Sequence, residues 1–495
     1  MTARVEHVVI VGGGSIAWLS AAALKQAFRH RDLDVVVLDL GQPRDAPVGH
    51  WTLPSLRAIH GLLGIKEPDF VRRTGATFKL ASEHTGWQGD ESGFIHAHGE
   101  IGSDLGGTPF YKYLLRQAIA GRAERAESYS LAAVAARSGR FARPMSKTAL
   151  TSSFTYAYHL DEAAYGAYLR AHAEQLGVRR SEGTLIDVSL LESGGVAAVA
   201  LESGERIEGD YFLDCSGREA LLMNRFPPAD REDWTEWLPN DRMLSMRAPA
   251  LDDPPALTRT IAEGAGWSWR IPLAQASLAG HVYCSRFVSD DGALEQLRST
   301  FGEGCAEPVL STLSSGRRKK FWDRNCVALG DACVDLEPLA GGNLHLAQLG
   351  IATLIELFPL DRQTSLEAIE YNRIMGEHAD ALRDFTIAHY RAGSEKRGEY
   401  WAATRTAPPP SSFAAKLDLF RANGRIGLRD NETFEEVDWA WLLLGAGCMP
   451  ERLELHVQAN FDRVQPEQFA ALRASIEKLA ASMPRHIDYV RHMVG

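Results

Sequence analysis

The feature that most constrains this chain is the apolar run Val8-Val9-Ile10-Val11, which ends in Gly12-Gly13-Gly14 and gives way to apolar residues at helical spacing, Ala17, Ala21, Leu24 and Phe28. A continuous β-branched run reads as a strand buried on both faces of a parallel sheet. Val35-Val36-Val37-Leu38-Asp39 supplies a second such strand, so the chain opens on a βαβ unit. Gly12-x-Gly14-x-x-Ala17 places small residues where a backbone must approach a pyrophosphate at a helix N-terminus, with Ala17 in place of the third glycine. Asp39, 22 residues after Ala17, stands where a carboxylate accepts hydrogen bonds from a ribose hydroxyl. Fingerprint, flanking elements and acid together predict a dinucleotide site made by Gly12, Gly14, Ser15, Ala17 and Asp39.

The rest of the composition narrows the class. Hydrophobic residues make up 45% and charged residues 24% of the 495 residues, which excludes a disordered, collagen-like or extended coiled-coil chain. The net charge of −11 discourages binding to nucleic acid or an anionic membrane surface. Six cysteines without C-x-x-C spacing suit a reducing compartment and argue against a disulfide framework or a structural zinc. No apolar stretch is long enough to span a membrane, and a strand begins at Val8 where a signal peptide would be apolar, so a cytoplasmic location is expected.

Further along, 185–188, 196–201 and 206–214 read as a short antiparallel meander leading into Asp214-Cys215-Ser216-Gly217. The Ala/Arg-rich stretch 116–140 reads as a solvated helix and loop. Beyond about residue 344 the pattern is mainly helical, and a last helix is expected to open with Pro466 and repeat Phe469, Leu472, Ile476 and Leu479. The expected division is 1–345 for a nucleotide-binding module with an inserted substrate sheet and 346–495 for a helical part completing the substrate pocket.

Gly330-Asp331-Ala332 follows the apolar run 326–329 and precedes Pro338, which resembles the second motif of FAD hydroxylases. That resemblance implies FAD, with Asp331 and Pro338 at its ribityl chain and flavin edge. Only one fingerprint is present, so a separate flavin reductase is expected to supply the reducing equivalents. Trp267-Ser268-Trp269-Arg270-Ile271-Pro272 resembles the W-x-W-x-I-P sequence of flavin-dependent halogenases of the tryptophan-halogenase type, and the resembling segments run in that family's order along nearly the whole chain. The implied fold is α/β: an FAD-binding doubly wound, Rossmann-like sheet of monooxygenase type, an antiparallel substrate sheet and a mainly helical C-terminal part. Thr77-Phe78-Lys79-Leu80, followed by Gly86-Trp87, matches the segment carrying the family's active-site lysine. The implied chemistry is that FADH2, oxygen and halide make hypohalous acid, which the Lys79 nitrogen holds and delivers to an aromatic carbon. Trp267 and Trp269 would line the passage between flavin and substrate. His96 and His98 match the region that sandwiches the substrate ring; without further nearby ligands they predict no metal site.

Two departures matter. The family's base, a glutamate followed by Ser-Thr-Gly, is replaced: this chain reads Glu337-Pro338-Leu339-Ala340-Gly341-Gly342-Asn343, with Ala340 at the glutamate position. A ring that stabilises its own cationic intermediate, such as a phenol, pyrrole or activated indole, can dispense with that base. Gly342 and Asn343 remain candidates for an anion-binding backbone nest that takes chloride or bromide. The second departure is His50-Trp51, where the family usually has Glu-Ala before Thr52 and Pro54. Three functions stay open on these residues: a halogenase acting on a small electron-rich aromatic, an FAD-dependent aromatic monooxygenase, and a flavin-binding protein without turnover. A homodimer is also compatible with the resemblance.

Overall fold

The computed structural model describes residues 4–494 except 42–46, 90–91, 105, 147, 227–229, 360–365, 394–397 and 458–465. The apolar runs form a six-stranded sheet in the order Trp322–Asp323, Cys326–Ala328, Tyr211–Asp214, His7–Val11, Asp34–Asp39 and Arg179–Glu182. All neighbours are parallel except the outermost pair, Trp322–Asp323 with Cys326–Ala328. Val8 to Val11 are buried on both faces, as a strand covered by helices requires. Helix Ser15–Ala27 follows, and Gly12 between them has a φ of 145°. A Cβ at Gly12 would stand 2.3 Å from the Cys215 carbonyl oxygen, so glycine is demanded there by the backbone that enters after Tyr211–Asp214.

The stretch read as one strand over 206–214 is two. Arg206–Glu208 pairs antiparallel with Val196–Leu201, whereas Tyr211–Asp214 joins the parallel sheet. The break is made by Asp210, whose carboxylate accepts the backbone N–H groups of Glu6 and His7 at 2.8 and 2.9 Å and turns the chain onto the first strand. A local hydrophobic pattern contains no trace of that long-range contact.

A seven-stranded sheet runs Val309–Thr312, Arg242–Ala248, Ser277–Tyr283, Gly266–Pro272, Leu257–Glu263, Ala81–Thr85 and Gly93–Ala97. It is antiparallel except where Leu257–Glu263 meets Ala81–Thr85 in parallel. Beside it, Ala157–Asp161 is flanked by Gly49–Trp51 and Thr77–Lys79, with both Trp51 and Thr77 opposite His159 and with Lys79 opposite Ala157. Residues distant in sequence are thereby set on neighbouring strands.

The C-terminal part is helical, including Asn343–Glu356, Leu366–Arg391, Ser411–Asn423, Glu436–Gly445 and Pro466–Ser482. A further helix, His486–Val494, follows, so the Pro466 helix is not the last. The Ala/Arg-rich stretch is also less solvated than its composition implies: helix Leu131–Arg137 buries Leu131, Ala132, Ala133, Ala135 and Ala136. Its alanines have no bulk to separate it from helix Pro466–Ser482, against which it packs. Among the described residues no helix is long and apolar enough to cross a membrane, and no cluster of three His, Cys, Asp or Glu side chains is arranged to hold a metal.

Candidate active site

The C-terminal end of His7–Val11 opens on a cleft of about 730 Å³ lined by Gly13, Gly14, Asp39, Arg170, Arg180 and Arg247 among others. This is where an open parallel sheet presents ligands, outside the carboxyl ends of its strands. The N-terminus of helix Ser15–Ala27 carries an anion within the protein: Glu162 accepts the Ser15 N–H and hydroxyl, both at 2.7 Å. His50 Nε2 lies 2.7 Å from Glu162 Oε2, the oxygen that also accepts the Ser15 hydroxyl. Burial resists charging His50, but the hydrogen bond and charge of Glu162, with Asp331 and Asp161 beyond, lift its pKa above the ordinary value. Burial likewise disfavours the Glu162 carboxylate and is outweighed by His50 and Ser15, so Glu162 titrates below its usual range. Asp39 is already engaged, one oxygen accepting the Gly41 N–H at 3.0 Å and the other the Arg180 guanidinium at 2.8 Å. Asp331 pairs with Arg218 at 3.3 Å, and burial pushes its carboxyl upward. Ala17 is buried within the helix, and Pro338 opens the short turn Pro338–Ala340.

Lys79 lies on the far strand of the three-stranded sheet and is 2% exposed. Its Nζ sits 2.9 Å from His98 Nε2. Burial lowers the lysine pKa from 10.5 to about 7, with Asp438 pulling weakly in the opposite direction. Burial, and then the lysine itself, hold His98 well below the usual imidazole range, so His98 is neutral at pH 7. His96 is tied elsewhere: its Nε2 is 2.9 Å from Asp438, in the first turn of helix Glu436–Gly445. Both histidines make polar contacts, one to the lysine and one to a helix terminus.

Between these two ends stands a packed aromatic group. Trp267 and Trp269 alternate along strand Gly266–Pro272 and both point into the core at 0% and 1% exposure. Trp51 packs against both, with ring centroids 6.5 Å from Trp267 and 5.2 Å from Trp269. Glu337, fully enclosed, accepts the Tyr390 hydroxyl at 2.7 Å and the Asn240 amide at 2.5 Å, with the Trp267 indole N–H at 3.5 Å. Burial raises its pKa against those three donors. Both oxygens are therefore hydrogen-bonded within the protein. Gly341 adopts φ 66° and ψ 17°, and a side chain there would strike the Trp51 carbonyl oxygen at 2.4 Å. The two departures at 50–51 and 340–343 are thus in direct contact. The side-chain amide of Asn343 donates to the Leu336 carbonyl at 2.8 Å.

Sequence reasoning missed Glu162, Arg180 and Asp438, whose pairings with residues 15, 39 and 96 have no local motif. Glu337 was visible only as part of Glu337-Pro338-Leu339. A signal existed at position 50: a histidine where an acid is usual invites an acidic partner elsewhere, and Glu162 is that partner.

The family model described as tryptophan halogenase matches residues 7–461. Among characterised relatives, tryptophan 7-halogenase KtzQ of Kutzneria sp. (strain 744) is 28% identical over 99% of this chain and 98% of its own length. Among solved structures, BrvH, a flavin-dependent halogenase from Brevundimonas sp. BAL3, is 34% identical with a TM-score of 0.93, covering 99% of this chain and 100% of that one. Xcc4156, a flavin-dependent halogenase from Xanthomonas campestris, is 35% identical with a TM-score of 0.93, covering 99% and 98%. A glycine-turned parallel sheet, a buried lysine and a paired-tryptophan strand, matched along nearly the full length of such relatives, place this chain in the tryptophan halogenase family of flavin-dependent enzymes, oxidoreductases that use FADH2 and halide.

Proposed function

We propose that this enzyme installs bromide or chloride on an electron-rich aromatic ring of the indole, phenol or pyrrole type, with hypohalous acid guided by Lys79. The observation that carries this reading is a buried amine held 2.9 Å from the His98 imidazole, where burial lowers the lysine pKa to about 7. FAD is assigned to the cleft beside Gly12, Gly14, Ser15, Ala17 and Asp39, with Asp331 and Pro338 toward the flavin ring. The donor set fits an anionic dinucleotide through the arginines that line the cleft, while the Ser15 N–H at the helix N-terminus is taken by Glu162. When bound as FADH2, the flavin would supply two of the four electrons that reduce oxygen, and the halide, oxidised to the level of hypohalous acid, would supply the other two. A separate reductase would deliver that flavin in a cytoplasmic setting.

This chain's own residues do the rest. Above pH 7 the free amine of Lys79 can take the halogen from hypohalous acid: an N–X bond forms, the O–X bond breaks, and the amine proton leaves with hydroxide as water. Gly342 and the Asn343 amide are assigned to the halide. Trp267 and Trp269 keep water from the path, and His96 and His98 fix the polar wall behind Lys79. Because Ala340 offers no carboxylate, the ring must stabilise its own cation, which favours phenols, pyrroles and the pyrrole edge of indole over the benzo positions of tryptophan. The test is a graded series of such rings incubated with FAD, a flavin reductase and either halide, read by mass spectrometry. Expected is halogenated product whose rate climbs with ring nucleophilicity; equal rates on deactivated benzo positions overturn the ring preference, and hydroxylated product without halide identifies a monooxygenase instead.

A second expectation concerns Glu162. It occupies the helix N-terminus to which a phosphate would bind, and two like charges at that range repel by about 1–4 kcal/mol at an effective dielectric of 20. Glu162→Gln removes the charge and keeps the shape, so FAD should bind about tenfold more tightly, a net figure reduced by the loss of the His50 ion pair. Flavin fluorescence quenching measures this; unchanged or weaker binding would place the pyrophosphate away from Ser15.

A further inference from the structure

We propose that the indole N–H of Trp51 is a halide donor, closing a bromide-selective pocket over the backbone amides at the start of helix Asn343–Glu356. This deepens the assignment of halide to Gly342 and Asn343 and rests on it.

Trp51 is 2% exposed and its Nε1 has no acceptor among the described residues. An indole nitrogen can only donate, so a buried one without an acceptor awaits an electron-rich partner. The direction in which it points is set by its neighbour: a Cβ placed on Gly341 would lie 2.7 Å from Trp51 Cδ1 and 3.1 Å from Nε1. The N–H edge of the indole therefore faces the Gly341 backbone. There Gly341 is left-handed, at φ 66° and ψ 17°, and Gly342 right-handed, at φ −89° and ψ −9°. Alternation of these two conformations turns successive N–H groups toward one side and makes an anion-binding concavity; the Gly341 N–H is taken by the Pro338 carbonyl at 2.8 Å, so the amides of Gly342 and Asn343 are the ones offered. The helix that follows is 14 residues long, has no side-chain cap and begins with no acidic residue in its first turn, so its leading amides are not answered by a side chain.

The surroundings select the anion. A Cβ on Gly342 would meet Leu382 at 2.3 Å, so that flank of the turn is packed with aliphatic surface, and Trp267 and Trp269 pack against Trp51. His345 in the first turn is held neutral, burial lowering its pKa to about 4, and it contacts the Ser55 hydroxyl at 2.7 Å. A pocket made of neutral N–H donors and aromatic surface suits a small monovalent ion that is weakly hydrated, since dehydration is then least opposed. Bromide meets that description better than chloride, and multiply charged oxyanions do not meet it.

The experiment uses the full-length protein without added flavin and sodium bromide as the probe, with sodium chloride at equal ionic strength as comparison. Crystals grown in bromide and measured at the bromine absorption edge should show an anomalous peak within hydrogen-bond distance of Trp51 Nε1. Trp51→Phe keeps the ring and deletes the donor; it should weaken bromide binding, measured by titration, about tenfold, as for the loss of one hydrogen bond to a charged group, with FAD affinity unchanged. A peak on the amides but out of reach of Trp51, or an unchanged bromide affinity in the phenylalanine variant, overturns the proposal. If that variant does not fold, the anomalous peak in the unaltered protein decides alone. Halogenated product together with undiminished bromide binding in Trp51→Phe rejects only the tryptophan donor; bromide held by Trp51 without product from any ring rejects the proposed function and leaves this site standing.

Discussion

Replacing Lys79 by methionine should abolish halogenation while leaving flavin oxidation intact, and it should make the protein more stable. The nitrogen is the group assigned to hold the halogen, so product per flavin oxidised should fall by orders of magnitude, as when a group acting only in the chemical step is removed. Stability moves the other way because the lysine is wholly buried. In the unfolded chain it binds a proton up to pH 10.5, but in the folded protein only up to about 7. The unfolded state thus binds more protons between these values, and wild-type stability rises with pH across that window. The penalty is complete below pH 7 and fades toward pH 10.5, so Lys79→Met should gain several kcal/mol at pH 6 and much less at pH 9.5, on the scale of about 1.4 kcal/mol per pH unit. Denaturant unfolding at the two values checks this. The same titration predicts that single-turnover halogenation by the unaltered enzyme rises through pH 7 as the free amine forms. Near-normal product from Lys79→Met, or a yield falling through pH 7, would remove the amine from the mechanism.

Introducing the carboxylate that the family usually carries, by Ala340→Glu, should raise rates on poor rings by about 10²-fold or more, within the span general-base catalysis supplies, and change good rings little. A ring that cannot spread the positive charge left by halogen addition depends on a base to remove its proton, whereas a phenol does not. Position 340 is half-buried in the turn Pro338–Ala340, immediately before Gly341 and its contact with Trp51. The new side chain must therefore point away from the Trp51 carbonyl, and the glycine at 341 should stay untouched in the variant. Relative rates across the graded series, by mass spectrometry, decide: a uniform gain or loss for all rings would break the connection between Ala340 and substrate electronics.

The parallel core was legible from residues 8–39 because its signals are local. Burial on both faces forces a continuous β-branched run, and a tight strand-to-helix turn forces glycine, whatever the rest of the chain does. The lysine and the paired tryptophans were legible through their spacing in a family pattern. What could not be read there was who partners whom. His50 with Glu162, Asp39 with Arg180 and His96 with Asp438 join residues 112, 141 and 342 positions apart. Such contacts leave no periodicity in the chain.

The same limit explains the elements that were misread. The strand expected over 206–214 breaks at Asp210 because its carboxylate reaches the start of the first strand, and the alanine-rich helix at 131–137 is buried because another helix, more than 300 residues later, covers it. By itself the sequence determined the βαβ fold, through residue type along 8–39, and the positions of Lys79 and Ala340 within the family pattern. Tertiary structure alone decided that burial brings the Lys79 amine's pKa down to about 7, that Glu337 is locked by Tyr390 and Asn240, and that Trp51 turns an unanswered N–H toward Gly341. Those properties depend on desolvation and on partners brought from remote strands, and neither quantity exists until the chain has folded.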